Sequence, residues 1–342
     1  MKKSLLMLGL AVAAMSSCTN DEVIDLNQSN QKAIGFESFV NKGTRATLDV
    51  TKTTLKEFYV FGYYGSNSEV FDNSIVLGNA TSGWDVVEKK LWTKNVYQFA
   101  AYANGYGDGT NNTDTTDDDQ LTGVSFANKT LTINNYSLEG KDLIAAFAYQ
   151  NNSNGNNQTD VSLTFRHLLS KVKFIFDYTD GGNANLEMTV ENVTLKVPTS
   201  GKCVADSTTT TWSCHTTGDL KIYVVPGVVD LGLSENATAT TEEYFYVLPT
   251  GNSMGNEIVL SFDVTYTDKT QNDAIVKEEH HDLNLNTAKL SDDSACTWSA
   301  NTAYVYTVQL PFAPLYIDFT VNDVTGWGTA TEVTIAPPTP NN

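Results

Sequence analysis

Val172-Lys173-Phe174-Ile175-Phe176-Asp177-Tyr178 alternates: Val172, Phe174, Phe176 and Tyr178 are apolar or aromatic, and Lys173 and Asp177 between them are charged. Successive side chains of a strand point to opposite faces, so this period of two predicts a strand with one buried and one wetted face. Runs rich in Val, Ile, Thr, Tyr and Phe recur on both sides of it, at 55–64, 96–102, 131–133, 143–149, 161–165, 188–197, 220–225, 244–248, 258–266, 304–310 and 315–321. β-branched and aromatic side chains favour a pleated surface, and no long segment holds a helical period. Turn formers such as Gly181-Gly182 and Pro226-Gly227, with Asn-rich stretches at 104–119 and 151–157, punctuate the runs. The predicted class is all-β, built as β-sandwiches.

About 300 residues exceed a usual single sandwich, which predicts two domains. The polar stretch 151–158 marks a division into 46–158 and 159–342, although the same stretch also reads as a long hairpin loop inside one domain. Ahead of the first domain, residues 1–18 form an export signal. Lys2 and Lys3 are its basic region, residues 5–15 its apolar stretch, and Ser16-Ser17-Cys18 its end. The apolar stretch falls short of the roughly 20 residues a membrane-spanning helix needs. The residues before Cys18 resemble the lipobox of bacterial lipoproteins, which implies cleavage just before Cys18 and attachment of acyl chains such as palmitate to that cysteine. Any membrane contact is then through this anchor. Residues 20–31 are polar and unpatterned, a tether.

The chain has 21 Lys+Arg against 40 Asp+Glu, a formal charge of -19. Such acidity argues against nucleic acid and anionic membrane surfaces as partners. With Cys18 assigned to the anchor, Cys203, Cys214 and Cys296 remain. Cys203 and Cys214 flank a Ser/Thr-rich tip and are candidates for a hairpin disulfide in an oxidising compartment.

The residues point away from catalysis. No G-x-S-x-G on a strand-to-helix turn occurs, since Gly251-Asn252-Ser253-Met254-Gly255 has the spacing but no helical period after it, and there is no phosphate-binding loop or dinucleotide glycine pattern. His280 and His281 are adjacent, so on a strand they face opposite ways and do not share a metal. Asp114, Asp117, Asp118 and Asp119 lack the spacing and central glycine of a calcium loop and read as a solvated acidic loop. The 5 Trp and 16 Tyr read first as core and cross-strand partners. No enzyme, cofactor or metal is expected.

The two ends of the fold carry more. Ala33-Ile34-Gly35-Phe36-Glu37-Ser38-Phe39-Val40 predicts a strand with Ile34 and Phe36 on one side, and Asn41-Lys42-Gly43-Thr44-Arg45-Ala46 comes next as a polar loop that a trypsin-like protease would cut after Arg45. Losing that strand would uncover an apolar groove and an unpaired strand edge. At the far end, Thr329-Ala330-Thr331-Glu332-Val333-Thr334-Ile335 alternates, with Val333 and Ile335 on one side, before Pro337-Pro338. A strand of one copy completing the next is β-strand addition, and the head-to-tail contact it makes builds an open filament.

With the lipobox at Cys18, the Ile34-x-Phe36 strand and its Gly43-Thr44-Arg45-Ala46 loop, the central Leu163-Thr164-Phe165-Arg166-His167-Leu168-Leu169-Ser170-Lys171-Val172 segment, and Phe319-Thr320-Val321-Asn322-Asp323 followed by Gly326-Trp327, the chain resembles the fimbrillin family, the type V pilus subunits of Bacteroidetes. The resemblance runs over essentially the whole length. It implies two transthyretin-like β-sandwich domains in tandem, lipoprotein export to the outer membrane, and polymerisation by donor-strand exchange into a fimbria serving adhesion. By match, residues 19–45 are the tether and removable strand, Arg45 is the cleavage position, Ala46 the mature N-terminus and the last strand the donor. The implied partners are further copies or other pilus subunits and an Arg-specific protease; the surface ligand, host or bacterial, stays open. Anchor subunits of the family keep their first strand, so Arg45 argues against a pure anchor. The alternative is a surface glycan-binding lipoprotein of β-sandwich architecture, for which a scissile arginine between tether and fold has no use. Removing residues 1–45 would take away 5 Lys+Arg and 4 Asp+Glu, leaving 16 against 36 and a charge of -20.

Overall fold

The computed structural model describes residues 31–40, 49–65, 68–79, 83–107, 119–178, 186–214, 221–224, 229–230, 238–240, 244–250, 258–268, 275–285, 297–310 and 318–326. These residues hold 21 strands and no α-helix, as the period-two patterning predicts. The strands form four sheets. The largest has seven strands in the order β1 (Phe36–Val40), β9 (Val161–His167), β8 (Leu143–Asn151), β5 (Val96–Asn104), β2 (Glu57–Tyr64), β3 (Ser68–Asn79) and β4 (Gly83–Val86). All its neighbours are antiparallel except the edge pair β1 and β9, which run parallel with Phe36 opposite Val161 and Val40 opposite Phe165.

A four-stranded sheet runs β13 (Thr210–Cys214), β12 (Ser200–Ala205), β7 (Thr130–Ser137) and β6 (Val124–Ala127). A third runs β16 (Thr238–Thr240), β10 (Ser170–Tyr178), β20 (Thr302–Leu310) and β21 (Asp318–Gly326), with β17 (Phe245–Val247) also on β10. The fourth runs β14 (Lys221–Val224), β11 (Leu186–Val197), β18 (Val259–Asp268) and β19 (Ile275–Asn284), with β15 (Val229–Asp230) on β11.

Two apolar clusters hold these sheets together. One face of the seven-stranded sheet contributes Phe36, Phe58, Val60, Phe71, Phe99, Leu163 and Phe165 to the first. The opposite face contributes Tyr59, Phe61, Ala100 and Tyr102 to the second, where they meet Phe126, Leu131 and Ile133 of the four-stranded sheet. The second cluster continues into Phe174 and Tyr306 of the third sheet and Leu195 and Phe262 of the fourth. Phe176 and Phe262 meet edge-on with ring centroids 5.1 Å apart, joining these two sheets face to face. Strand β2 is buried on both faces, so it reads as an unbroken apolar run where a half-buried strand would alternate. In β10 the expected alternation is present: Val172, Phe174 and Phe176 are buried, and Lys173 and Ile175 are half-buried.

The polar stretch at 151–158 joins β8 to β9, which are antiparallel neighbours in one sheet. Strand β12 pairs with β7, and the second cluster draws on residues before and after 158. Pairing and core therefore run across the position where the polar composition suggested a division.

Candidate functional site

The site begins at β1, the edge strand whose sequence reads as removable. Ile34 and Phe36 point inward and are 2 % and 3 % exposed, as their shared parity predicts. Glu37 and Phe39 point to solvent. The Phe36 ring sits edge-on to three others, with centroids 6.1 Å from Phe58, 5.8 Å from Phe71 and 5.7 Å from Phe99. Burying such a ring contributes about 1.5–3 kcal/mol. The backbone is held on both sides: Ile34 N donates to Lys90 O at 2.8 Å, Trp92 N to Lys32 O at 3.0 Å, and Val161 N to Gly35 O at 2.8 Å. Gly35 permits that approach, because a Cβ there would lie 2.7 Å from Asp160 Oδ1. On the surface, Lys32 Nζ donates to Asp160 Oδ1 at 2.8 Å.

Arg45 and Ala46 lie outside the described residues, as do Cys18, Val333 and Ile335. Beyond Arg45 the description resumes at Asp49, and here the chemistry changes. Asp49 is buried and accepts from two donors, Lys171 Nζ at 2.6 Å and Tyr246 OH at 2.8 Å. The register of β10 and β17 sets Lys171 directly opposite Tyr246, so both donors reach the same carboxylate. Asp142 Oδ2 accepts from Val50 N at 3.0 Å and from His167 Nδ1 at 2.8 Å, the proton being placed on Nδ1 because a carboxylate is the acceptor. All five titratable side chains, Asp49, Asp142, His167, Lys171 and Tyr246, are buried. Burial pushes the Lys171 ammonium below its usual range, and Asp49 opposes that shift. Burial, with Asp142 and Asp49 nearby, holds the Tyr246 phenol well above its usual range. Each of these side chains is buried and bonded within the cluster, and together they fix the chain at 49–50.

The central 163–172 segment is accounted for residue by residue. Leu163 and Phe165 enter the first cluster, and Leu168, Leu169 and Val172 enter the second. Between them, Arg166 Nη2 donates to Asp206 O and Thr209 O, both at 2.5 Å, which ties β9 to the tip between β12 and β13. Leu168 O accepts from Trp212 Nε1 at 2.7 Å, and Ser170 Oγ donates to Ser299 O at 2.7 Å. His167 and Lys171 hold the two carboxylates. The segment thus passes the chain from one core to the other.

The expected hairpin bridge between Cys203 and Cys214 is not formed, and both are free thiols. The hairpin is present, but its register puts Cys203 opposite Trp212 and Cys214 opposite Gly201. The two sulfurs are therefore diagonal on one face, where Cβ atoms sit about 7 Å apart, beyond disulfide reach. Burial pushes the Cys203 thiol up to about 12 and also raises Cys214, leaving neither poised to react. His280 and His281 sit on opposite faces of β19: His280 bonds Asp263 at 2.6 Å on the exposed face, while the His281 ring lies 5.4 Å from that of Phe262. Of the acidic run, Asp119 pairs with Lys141 at 2.7 Å, and Asp114, Asp117 and Asp118 lie outside the described residues.

Asp49, Asp142 and Tyr246 escape a reading of local patterns, being separated by 93 and 104 residues. Asp49 and Asp142 show locally only as acids bordering apolar residues, and Tyr246 is hidden inside the 244–248 run.

Three solved structures illustrate the likeness. A candidate cell adhesion protein from Parabacteroides distasonis superposes with a TM-score of 0.50 at 12% identity, over 87% of this chain and 98% of its own. One from Bacteroides uniformis gives 0.47 at 16% identity, over 86% and 98%. The fimbrial anchor protein Mfa2 of Porphyromonas gingivalis gives 0.34 at 12% identity, over 89% and 100%. No curated relative matches the sequence. The fimbrillin-like family model matches residues 44–327. That span runs from Thr44, beside Arg45, through the 163–172 segment to the end of the last described strand, and on it the chain belongs to the fimbrillin-like family.

Proposed function

We propose that this chain is a structural, non-enzymatic subunit of a cell-surface pilus that serves adhesion and assembles by strand exchange. The single observation that carries the reading is the seating of β1: a five-residue edge strand, pegged by its own Phe36 and by Ile34 just before it, with Arg45 five residues beyond its end in the sequence. An edge strand is the element a sheet loses at least cost to the remaining pairing. In the proposal the precursor is exported, lipidated at Cys18 and held at the outer membrane. An Arg-specific protease cuts after Arg45, β1 leaves, and the alternating segment carrying Val333 and Ile335 from another subunit fills the seat. Two apolar residues at i and i+2 match the spacing of Ile34 and Phe36. Membership of the fimbrillin-like family supports the location in a surface fibre. The proposal keeps two transthyretin-like sandwiches in tandem, with β9 counted in the first because its Val161, Leu163 and Phe165 line the same cluster as Phe36.

Trypsin treatment of the purified precursor tests it. The expected product begins at Ala46 and slowly forms heat-stable, detergent-resistant ladders on a gel. Persistent monomer after complete cleavage would overturn the assembly reading.

A further inference from the structure

The structure assigns a second role to the buried polar cluster: we infer that Asp49 with Lys171 and Tyr246, and Val50 with Asp142 and His167, form a latch that keeps the new chain start seated when β1 departs. The inference rests on cleavage at Arg45. A departing strand disturbs the chain beyond it, and the described chain resumes only four residues past that bond. Lys52 couples this region to β1 directly. It lies in the exposed turn at 51–54, and its ammonium sits 4.9 Å over the ring of Phe39 on β1, a contact that departure of β1 removes.

Two observations show why the latch would hold. First, Asp49 cannot swing out without taking its 2.6 Å carboxylate contact from the Lys171 ammonium, which is 0 % exposed, and removing the hydrogen-bonded counter-ion of a buried charge is strongly disfavoured. Second, the latch draws on separate parts of the fold. Lys171 and Tyr246 come from β10 and β17, whereas Asp142 precedes β8 and His167 ends β9. These groups sit on elements other than β1, so its loss removes none of them. The turn beyond is closed by Leu55 N to Thr51 O at 3.0 Å and Thr51 N to Thr54 Oγ1 at 2.8 Å, and Leu55 is buried in the first cluster.

The consequence is a defined mature end. Lys52 and Lys56 are exposed and chemically cleavable by trypsin, which cuts after lysine as well as after arginine. A protease needs a locally opened segment, so protection at these lysines reports the closed latch. The full chain and its Tyr246→Phe and Lys171→Met variants would be digested with trypsin and followed by intact-mass spectrometry. Wild type is expected to accumulate the product beginning at Ala46. The variants should pass on to a product beginning at Thr53 at least ten times faster, the larger effect in Lys171→Met. Equal rates in a folded Tyr246→Phe variant would overturn the latch. Amide exchange on the uncleaved proteins covers the remaining cases. If trypsin spares Arg45, the cleavage reading fails on its own, and the Val50 amide still has to exchange at least ten times faster in Tyr246→Phe than in wild type. Unchanged exchange there would overturn the latch independently.

Discussion

Strand β1 and the Asp49–Val50 segment stand on either side of Arg45 in the chain and are fixed to the same body by opposite chemistries. Ile34 and Phe36 are held by contact with aromatic rings, which makes no directional demand, so another apolar pair of suitable shape would fit the seat. Asp49 accepts from an ammonium and a phenol in fixed positions, and Asp142 from an amide and an imidazole. Those partners have no generic substitute. Under the proposed strand exchange, the difference separates what is exchanged from what stays: apolar pegs ask only for bulk, and buried paired charges specify one residue at one place.

Breaking the charged side should have the largest effect. Lys171→Met leaves the Asp49 carboxylate buried without its cation, a change expected to cost about 3–5 kcal/mol. Urea unfolding of the full chain measures it, and a loss below about 1 kcal/mol would remove the contrast between the two regions. Tyr246 alone cannot compensate, because a phenol supplies one hydrogen bond and no charge. On the apolar side, Phe36→Ala opens a cavity beneath three rings and should cost about 3 kcal/mol in the same experiment. Phe36→Leu should recover most of that, since the seat asks for bulk and not for a particular group. A Leu variant as unstable as the Ala variant would show the pocket to be as specific as the charged cluster.

The apolar half of this comparison was legible in the sequence and the charged half was not. Ile34 and Phe36 share parity in a run of eight residues, so local spacing alone aligns them, and the structure buries both. Lys171 stands next to Val172 on the side that alternation assigns to solvent, yet it is fully buried. Its placement depends on a carboxylate 122 residues away, which no local period encodes. Strand β2 shows a related loss of signal, since burial on both faces erases the alternation that would reveal which face is which. The Cys203 and Cys214 hairpin was correctly read as a hairpin, but whether two cysteines meet depends on register, and register is set at the turn and by pairing with β7. The 151–158 stretch has the composition of a linker because a solvated hairpin loop and a linker face the same solvent.

A third kind of hold tests whether charge as such matters or only buried charge. Lys32 and Asp160 pair at 2.8 Å beside β1, with side chains 56% and 38% exposed. Water competes for both groups, and ordering the long lysine side chain offsets much of the attraction. Lys32→Ala should therefore change the stability of the full chain by no more than about 0.5 kcal/mol, and raising the salt concentration should shrink even that. The backbone bond from Lys32 N to the Gln158 side chain, 2.7 Å long, survives the substitution, so the variant isolates the ion pair from the strand's anchoring. If Lys32→Ala proved as damaging as Phe36→Ala, β1 would be held by its surface charge. Exchange of one strand for another would then need a matching cation at that position, and an apolar pair such as Val333 and Ile335 would not be enough.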